Sequence, residues 1–135
     1  MAFNILVVDD SSVMRAMIIK TLHLSQLPLG EVHEAANGQD ALKVLENNWI
    51  DLALVDINMP VMDGEEMINR LRQNPATADL QVIMISTERS ETRKEEFLQK
   101  GAGFVNKPFT PEALRDAIVR TLGGLDEQKA GDGTL

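Results

Sequence analysis

The sequence predicts one α/β domain in which a doubly wound, five-stranded parallel sheet carries helices on both faces. The first observation is that five short apolar runs alternate with five segments whose apolar residues recur at helical spacing. The second is that all but the second of these runs are apolar throughout, as expected for strands that are buried on both faces. The third is the length of 135 residues, which suits a single domain.

The predicted strands are short, and the second is the least apolar, as is usual near a sheet edge. They cover residues 5–8, 31–35, 52–55, 82–85 and 104–105. Three helices are predicted to begin at a polar residue that can accept hydrogen bonds from the first turn, namely Asp10, Ser11 or Ser12, then Asp63 and Thr110. Asn37-Gly38 is predicted to form a turn that leads into the second helix.

The first and last helices carry two further predictions. In the first helix Met14, Met17, Ile18 and Leu22 recur at helical spacing. Met14 and Met17 are predicted to be core residues, with a kinase-docking surface as the alternative. The last helix has Pro111 in its first turn and is predicted to end at Gly123 and Gly124. The domain is therefore predicted to cover residues 1–124, with residues 125–135 as a disordered tail.

Composition excludes several classes of function. The chain has no cysteine, which excludes a disulfide framework and a thiolate metal site. Its net charge of −8 argues against a nucleic-acid partner, which would require a basic surface. No apolar run approaches the roughly 18 residues of a membrane span, and nothing resembles a signal peptide. We therefore expect a cytoplasmic protein without membrane contact.

Polar side chains follow four of the five predicted strands. Asp9 and Asp10 follow the first strand, Asp56 the third, Ser86 the fourth and Lys107 the fifth. Because the carboxyl ends of parallel strands meet at one edge of a sheet, these side chains are expected to lie together. Three carboxylates repel one another unless a cation joins them, and such oxygen ligands suit Mg²⁺. With a lysine and a hydroxyl, the set suits phosphoryl transfer onto a carboxylate.

In this order and at this spacing, these residues resemble the receiver domain of two-component response regulators. The resemblance covers about residues 3–122 and rests on four segments. They are Val8-Asp9-Asp10-Ser11, Asp56-Ile57-Asn58-Met59-Pro60 with Asp63-Gly64, Ser86, and Phe104 with Lys107-Pro108-Phe109. The stretch at residues 9–15 is most similar to the chemotaxis branch of the family, the single-domain CheY-like proteins.

The resemblance implies a flavodoxin-like sheet of strand order 2-1-3-4-5 and a cis bond before Pro108. It implies that Asp56 accepts a phosphoryl group from a phosphohistidine on a sensor kinase or from a small phosphodonor. It also implies that Asp10, Asp56 and the backbone carbonyl of Asn58 ligate Mg²⁺, with Mn²⁺ as a substitute. Asp9 would help through a water molecule.

The resemblance also assigns a conformational switch. Lys107 would contact the phosphoryl group, Ser86 would swing toward it, and the ring of Phe104 would follow inward. The face made by the fourth helix, the fifth strand and the fifth helix would change. Three residues depart from the usual pattern of the family. Ser86 keeps the oxygen of the frequent threonine but lacks its methyl group, which should leave the switch intact. Thr87 is bulkier than the small residue common there, and Phe104 lacks the hydroxyl of the frequent tyrosine.

The expected function is that of a monomeric, stand-alone response regulator and not of an enzyme. After Gly124 only 11 residues remain, too few for a DNA-binding or catalytic domain, so the receiver itself is expected to bind the output partner. The implied partners are a sensor histidine kinase, a downstream protein such as a flagellar motor switch component, and a phosphatase. A phosphorelay intermediate or a phosphate sink stays an open alternative.

Three other functions fit the same fold less well. A phosphatase of the haloacid dehalogenase type would need a second acid where this chain has Asn58. A flavin-binding electron carrier would need a phosphate loop in place of Asp9 and Asp10, and aromatic residues around the flavin. A degenerate receiver that acts as a structural adaptor would not need the complete acidic set.

Overall fold

Five strands and five helices alternate along residues 2–133, which a computed structural model describes, with side chains as far as residue 122. The strands are β1 (Phe3–Val8), β2 (Leu29–Ala35), β3 (Leu52–Asp56), β4 (Gln81–Ser86) and β5 (Ala102–Asn106). The helices are α1 (Ser12–Leu24), α2 (Gly38–Asn47), α3 (Gly64–Gln73), α4 (Glu91–Gln99) and α5 (Pro111–Gly133). All five predicted β–α units are confirmed.

The sheet places the ends of β1 and β3 side by side. Its strand order is β2-β1-β3-β4-β5 and every pairing is parallel, which confirms the predicted flavodoxin-like arrangement. Val8 pairs with Val55, so Asp9 and Asp56 follow at adjacent positions of the sheet edge. The winding direction reverses between these two strands, and a crevice beyond their carboxyl ends is the usual ligand site of such folds.

The core has two layers, one on each face of the sheet. Alternate residues of β1 point to opposite layers, with Leu6 and Val8 in one and Ile5 and Val7 in the other. The first layer includes residues of α2, α3 and α4, and the second includes residues of α1 and α5. Because both faces are covered, every residue of the central strand β3 is buried, which explains its unbroken apolar run.

The buried face of α1 is narrower than predicted. Ile18 and Leu22 are fully buried and Met14 packs partly against the core, but Met17 is 49% exposed. The prediction of a core position for Met17 is therefore wrong. One helix covers only part of one sheet face. The rotation of the helix about its axis decides which of its apolar residues face the sheet and which, like Met17, lie at the boundary with solvent.

Helix α5 is longer than predicted. It continues to Gly133 and does not end at Gly123 and Gly124, so most of the predicted tail lies within the helix. A glycine inside a helix costs about 1 kcal/mol relative to alanine, which weakens a helix without requiring it to stop. Residues 134 and 135 of the predicted tail lie outside the described residues. None of the described helices is long and apolar enough to cross a membrane.

Arg72 joins α3 to two segments that lie far from it in sequence. Its guanidinium donates to the carbonyl of Lys100 at the end of α4, at 2.8 Å. It also donates to the carbonyls of Ala78 and Leu80 before β4, at 3.1 and 2.8 Å. Burial lowers the pKa of Arg72. One side chain therefore satisfies three backbone acceptors in partly buried surroundings.

We expect Arg72→Met to lower the free energy of unfolding by about 3 kcal/mol, because three carbonyls lose charged donors. Urea denaturation measures the change. Arg70→Met is the control, since Arg70 lies on the same helix and its ion pair among the described residues is an exposed one with Glu66. The control is expected to lose less than about 0.5 kcal/mol. Equal losses in the two variants would show that water replaces the guanidinium of Arg72 without cost.

Candidate functional site

Three carboxylates converge at the carboxyl end of the sheet. Asp9 and Asp10 follow β1, Asp56 ends β3, and carboxylate oxygens of the three lie within 4.8 Å of one another. Asp9 is 1% exposed and Asp56 7% exposed, whereas Asp10 is open to solvent. Like charges at this spacing repel one another, and the repulsion is stronger where burial excludes water. The predicted acidic cluster is therefore present, with a geometry that could hold a metal ion.

Lys107 reaches the acidic cluster from the loop after β5. Its Nζ lies 2.9 Å from Asp9 Oδ2 and 3.4 Å from Asp56 Oδ1. Burial alone would lower the pKa of Lys107, but hydrogen bonds to Asp9 and the charge of Asp56 raise it. The lysine is therefore protonated and neutralises part of the acidic charge. The Lys107–Pro108 bond is cis, as predicted.

The pKa of Asp56 is raised above its ordinary value. Burial is the largest cause, and the charges of Asp9 and Asp10 add to it, while Lys107 acts in the opposite direction. The carboxylate form of Asp56 is therefore destabilised at this position. A cation at the site would favour that form.

Protein contacts fix Asp9 on all sides. Its backbone N–H donates to the carbonyl of Ala35 at 3.1 Å, and its Oδ1 accepts from the N–H of Ser11 at 2.9 Å. Its carbonyl accepts from Arg15 Nη1 at 2.6 Å, and Arg15 Nε donates to Glu34 at 2.9 Å. Asp9 is therefore held in position by hydrogen bonds to its backbone and to its side chain.

Arg15 and Glu34 are residues near the site that sequence reasoning missed. Ser11 is the N-cap of α1, and Arg15 follows it by one helical turn. A long side chain at that position can fold back toward the strand end, and this spacing is the signal that could have identified Arg15. Its pairing with Glu34 depends on the sheet, because β2 lies next to β1 only in the folded chain.

The loop after Asp56 approaches the strand end closely. The N–H of Gly64 donates to the carbonyl of Ile57 at 2.8 Å, and a β-carbon at Gly64 would collide with the carbonyl oxygen of Asp56. Asp63 is the N-cap of α3, as predicted, and Asn58 is exposed at the mouth of the site. The Asp63-Gly64 pair therefore serves the turn geometry, since only glycine fits so near the backbone of Asp56.

The two predicted switch residues differ in burial, since Ser86 is fully buried and Phe104 is half-buried. Ser86 is fully buried at the end of β4, and its Oγ accepts a hydrogen bond from the N–H of Glu88 at 3.2 Å. Phe104 is half-buried on β5, with its ring 6.2 Å from that of Phe97 and with Lys94 Nζ 5.7 Å above it. Their assignment as switch residues stays a prediction.

Comparison with known proteins agrees with this geometry. Residues 5–119 match the model of the response regulator receiver domain. The chain is 36% identical over 122 residues to a chemotaxis protein CheY homolog of Campylobacter jejuni, across 89% of this chain and 92% of that protein. It is also 36% identical over 125 residues to the chemotaxis protein CheY1 of Helicobacter pylori, across 91% and 99% of the two chains.

A solved structure is similar over the same region. The chemotaxis response regulator CheY4 of Vibrio cholerae matches with a TM-score of 0.80 and 34% sequence identity. The match covers 90% of this chain and 99% of the Vibrio chain. The chain therefore belongs to the response regulator receiver domain family and, within it, is similar to chemotaxis proteins of the CheY type.

Proposed function

We propose that this protein is a response regulator that accepts a phosphoryl group on Asp56 with the help of Mg²⁺. The observation that carries the proposal is the convergence of Asp9, Asp10 and Asp56, with Lys107 3.4 Å from Asp56. The protein would not act as an enzyme on a separate substrate. Gain and loss of the phosphoryl group at Asp56 would be its own reactions.

The reaction is a displacement at phosphorus. A carboxylate oxygen of Asp56 attacks the phosphorus atom, a P–O bond forms, and the bond from phosphorus to the donor breaks. When the donor is a phosphohistidine, the imidazole nitrogen leaves with the electron pair. Lys107, protonated beside Asp56, donates hydrogen bonds to the phosphoryl oxygens and offsets their charge.

Carboxylate and carbonyl oxygens with open positions are the donor set that Mg²⁺ prefers. Asp10, Asp56 and the carbonyl of Asn58 would hold the ion, and Asp9 would act through water. When bound, Mg²⁺ would neutralise charge on the transferred phosphoryl group, and Mn²⁺ would substitute for it. The burial of Asp9 beside Lys107, against the exposure of Asp10, supports this division of roles.

We propose that a sensor histidine kinase donates the phosphoryl group and that the output face lies on α4, β5 and α5. On that face Leu98 is 50% exposed, next to Phe104 and Arg120. The chemotaxis names of the relatives favour a component of the flagellar motor switch as the downstream partner. A phosphorelay intermediate is the alternative, which would pass the group to a second histidine.

A small acyl phosphate donor tests the proposed reaction. The intact mass of the protein is expected to rise by one phosphoryl group, and only when Mg²⁺ or Mn²⁺ is present. Peptide mapping after reduction of the acyl phosphate would locate the group at Asp56. Labelling that is unaffected by removal of divalent ions would contradict the metal role, and labelling at another residue would contradict the acceptor.

Magnesium is expected to raise the temperature of thermal unfolding more at neutral than at acid pH. The pKa of Asp56 in the folded state is raised above its unfolded value, so stability falls as pH rises through that pKa. The metal would offset this loss only when Asp56 is ionised. Melting curves with and without Mg²⁺ across the acid-to-neutral range measure the effect, and sodium chloride at equal ionic strength is the control. Equal shifts at all pH values would contradict the prediction.

A further inference from the structure

Arg93 on α4 lies among three carboxylates from three parts of the fold. Its Nη1 is 2.6 Å from Glu65 on α3 and 3.8 Å from Glu96 on α4, and its Nε is 3.6 Å from Glu88 in the β4–α4 loop. The guanidinium also lies over the ring of Phe97, 5.4 Å from its centre. The hydrogen bond to Glu65 is the main reason that the pKa of Arg93 is raised. This arginine therefore joins α4 to α3 and to the loop.

Glu88 connects Arg93 to the buried end of β4. Its N–H donates to Ser86 Oγ at 3.2 Å, and its carbonyl accepts from Asn106 Nδ2 at 2.6 Å. Its carboxylate accepts from the N–H of Ser90 at 2.9 Å and faces Arg93. A movement of Ser86 that breaks the bond to Glu88 would therefore remove one of the contacts that hold the loop at residues 87–90.

Glu65 connects Arg93 to the loop after Asp56. It lies in the first turn of α3, directly after Gly64, where an added β-carbon would collide with the carbonyl oxygen of Asp56. In the sheet, Asp56 pairs with Ile85, the residue before Ser86. The ion pair between Glu65 and Arg93 therefore links α3 to α4, the two helices that follow the loops leaving the acidic site.

The bridge is shielded enough to hold this geometry. The side chains of Arg93, Glu65 and Glu88 are 31%, 35% and 29% exposed. An isolated surface ion pair contributes little, but several charges that share one guanidinium form a network, for which that rule is weaker. For comparison, Arg70 and Glu66 on α3 form an ordinary surface ion pair, in which the side chains are 56% and 50% exposed.

We propose that Arg93 is a clamp that holds the β4–α4 loop in its resting conformation by binding Glu65 and Glu88 together. The clamp makes it harder for Ser86 to turn toward a phosphoryl group on Asp56, and it thereby sets the fraction of molecules that are ready to accept one. The effect on phosphoryl acceptance rests on the proposed function of Asp56, whereas the restraint on the loop is independent of that function.

Two variants that change the net charge in opposite directions test the clamp. Glu65→Gln removes a negative charge and Arg93→Gln removes a positive charge, but both break the bridge. With Mg²⁺ and beryllofluoride as the phosphoryl mimic, both are expected to bind the mimic about fivefold more tightly by fluorine NMR, since the competent conformation becomes more populated. A general charge effect would shift the two affinities in opposite directions, and that outcome would overturn the clamp.

Glu66→Gln and Arg70→Gln are the matched controls, and both are expected to bind beryllofluoride as the unmodified protein does. A second measurement needs no phosphoryl mimic. Hydrogen exchange at the amides of Glu88 and Ser90 is expected to be about fivefold faster in Glu65→Gln and Arg93→Gln, because the loop opens more often. Unchanged exchange, or faster exchange with unchanged beryllofluoride affinity, would overturn the proposal.

The two measurements separate the clamp from the proposed function. If the unmodified protein fails to bind beryllofluoride, the proposed function fails. The exchange rates of the two variants then still decide whether Arg93 restrains the loop.

Discussion

Asp56→Asn is expected to abolish phosphoryl acceptance while the fold stays intact. An amide oxygen is too weak a nucleophile to displace a phosphodonor, so labelling should be lost completely. The side chain lies at the end of β3 on the sheet edge and has nearly the same shape as asparagine, so packing should be preserved. Intact mass after incubation with an acyl phosphate and Mg²⁺ measures the loss.

The same variant is expected to unfold at a higher temperature than the unmodified protein in metal-free buffer at neutral pH. Burial and the neighbouring acids raise the pKa of Asp56, so its ionised form destabilises the folded state at neutral pH. The amide removes that charge and its repulsion with Asp9. Thermal melts without divalent ions test this, and a lower melting temperature would show that the ion pair with Lys107 outweighs the repulsion.

Asp63→Asn is the control for both measurements. Asp63 lies in the neighbouring loop, where its side chain caps α3 by accepting from the N–H of Glu66 at 2.9 Å. Asparagine is an equally good cap residue, so both fold and labelling should be retained. Label that persists in Asp56→Asn would show that another side chain accepts the phosphoryl group.

Gly64→Ala is expected to lower the free energy of unfolding by about 3 kcal/mol, at the upper end of the cost of overpacking. A β-carbon there would collide with the carbonyl oxygen of Asp56 and lie 2.9 Å from the Cα of Ile57 and from the Cε of Met84. Two of these neighbours are backbone atoms, which cannot move aside without shifting the end of β3. Affinity for Mg²⁺ should fall in the same variant, because Asp56 would move.

Gly103→Ala on β5 is the matched control. Its β-carbon would lie 3.4 Å from Ile83 Cγ1 and farther from every other atom, which is an ordinary contact. We expect the free energy of unfolding to change by less than about 1 kcal/mol. Alanine lowers the conformational entropy of the unfolded chain, and this stabilising effect offsets a small strain in the folded state. Urea denaturation compares the two variants. A Gly64→Ala variant as stable as Gly103→Ala would contradict the close packing against Asp56.

Local chemistry made most of the fold predictable. The apolar runs of the strands and the cap Asp63 act within a few residues of themselves, so their spacing identifies them in the linear chain. The acidic site was also predictable because of topology: parallel strands bring their carboxyl ends to one edge, whatever the details of packing. For this reason the sequence predicts that Asp9, Asp10, Asp56 and Lys107 lie together, as the structure shows.

The exposure of Met17 and the partners of Arg15, Arg72 and Arg93 were decided by the tertiary structure alone. The exposure of Met17 depends on the rotation of α1 about its axis, and each arginine's partners depend on which distant segment its long side chain reaches. Arg93 has acids on its own helix as near candidates, yet its shortest contact is Glu65 on another helix. Sequence alone thus determined the β–α order, the family and the acidic strand ends, because short-range patterns and parallel topology encode them. The contacts that restrain the site arise only when the helices have packed, because packing fixes the directions of their side chains.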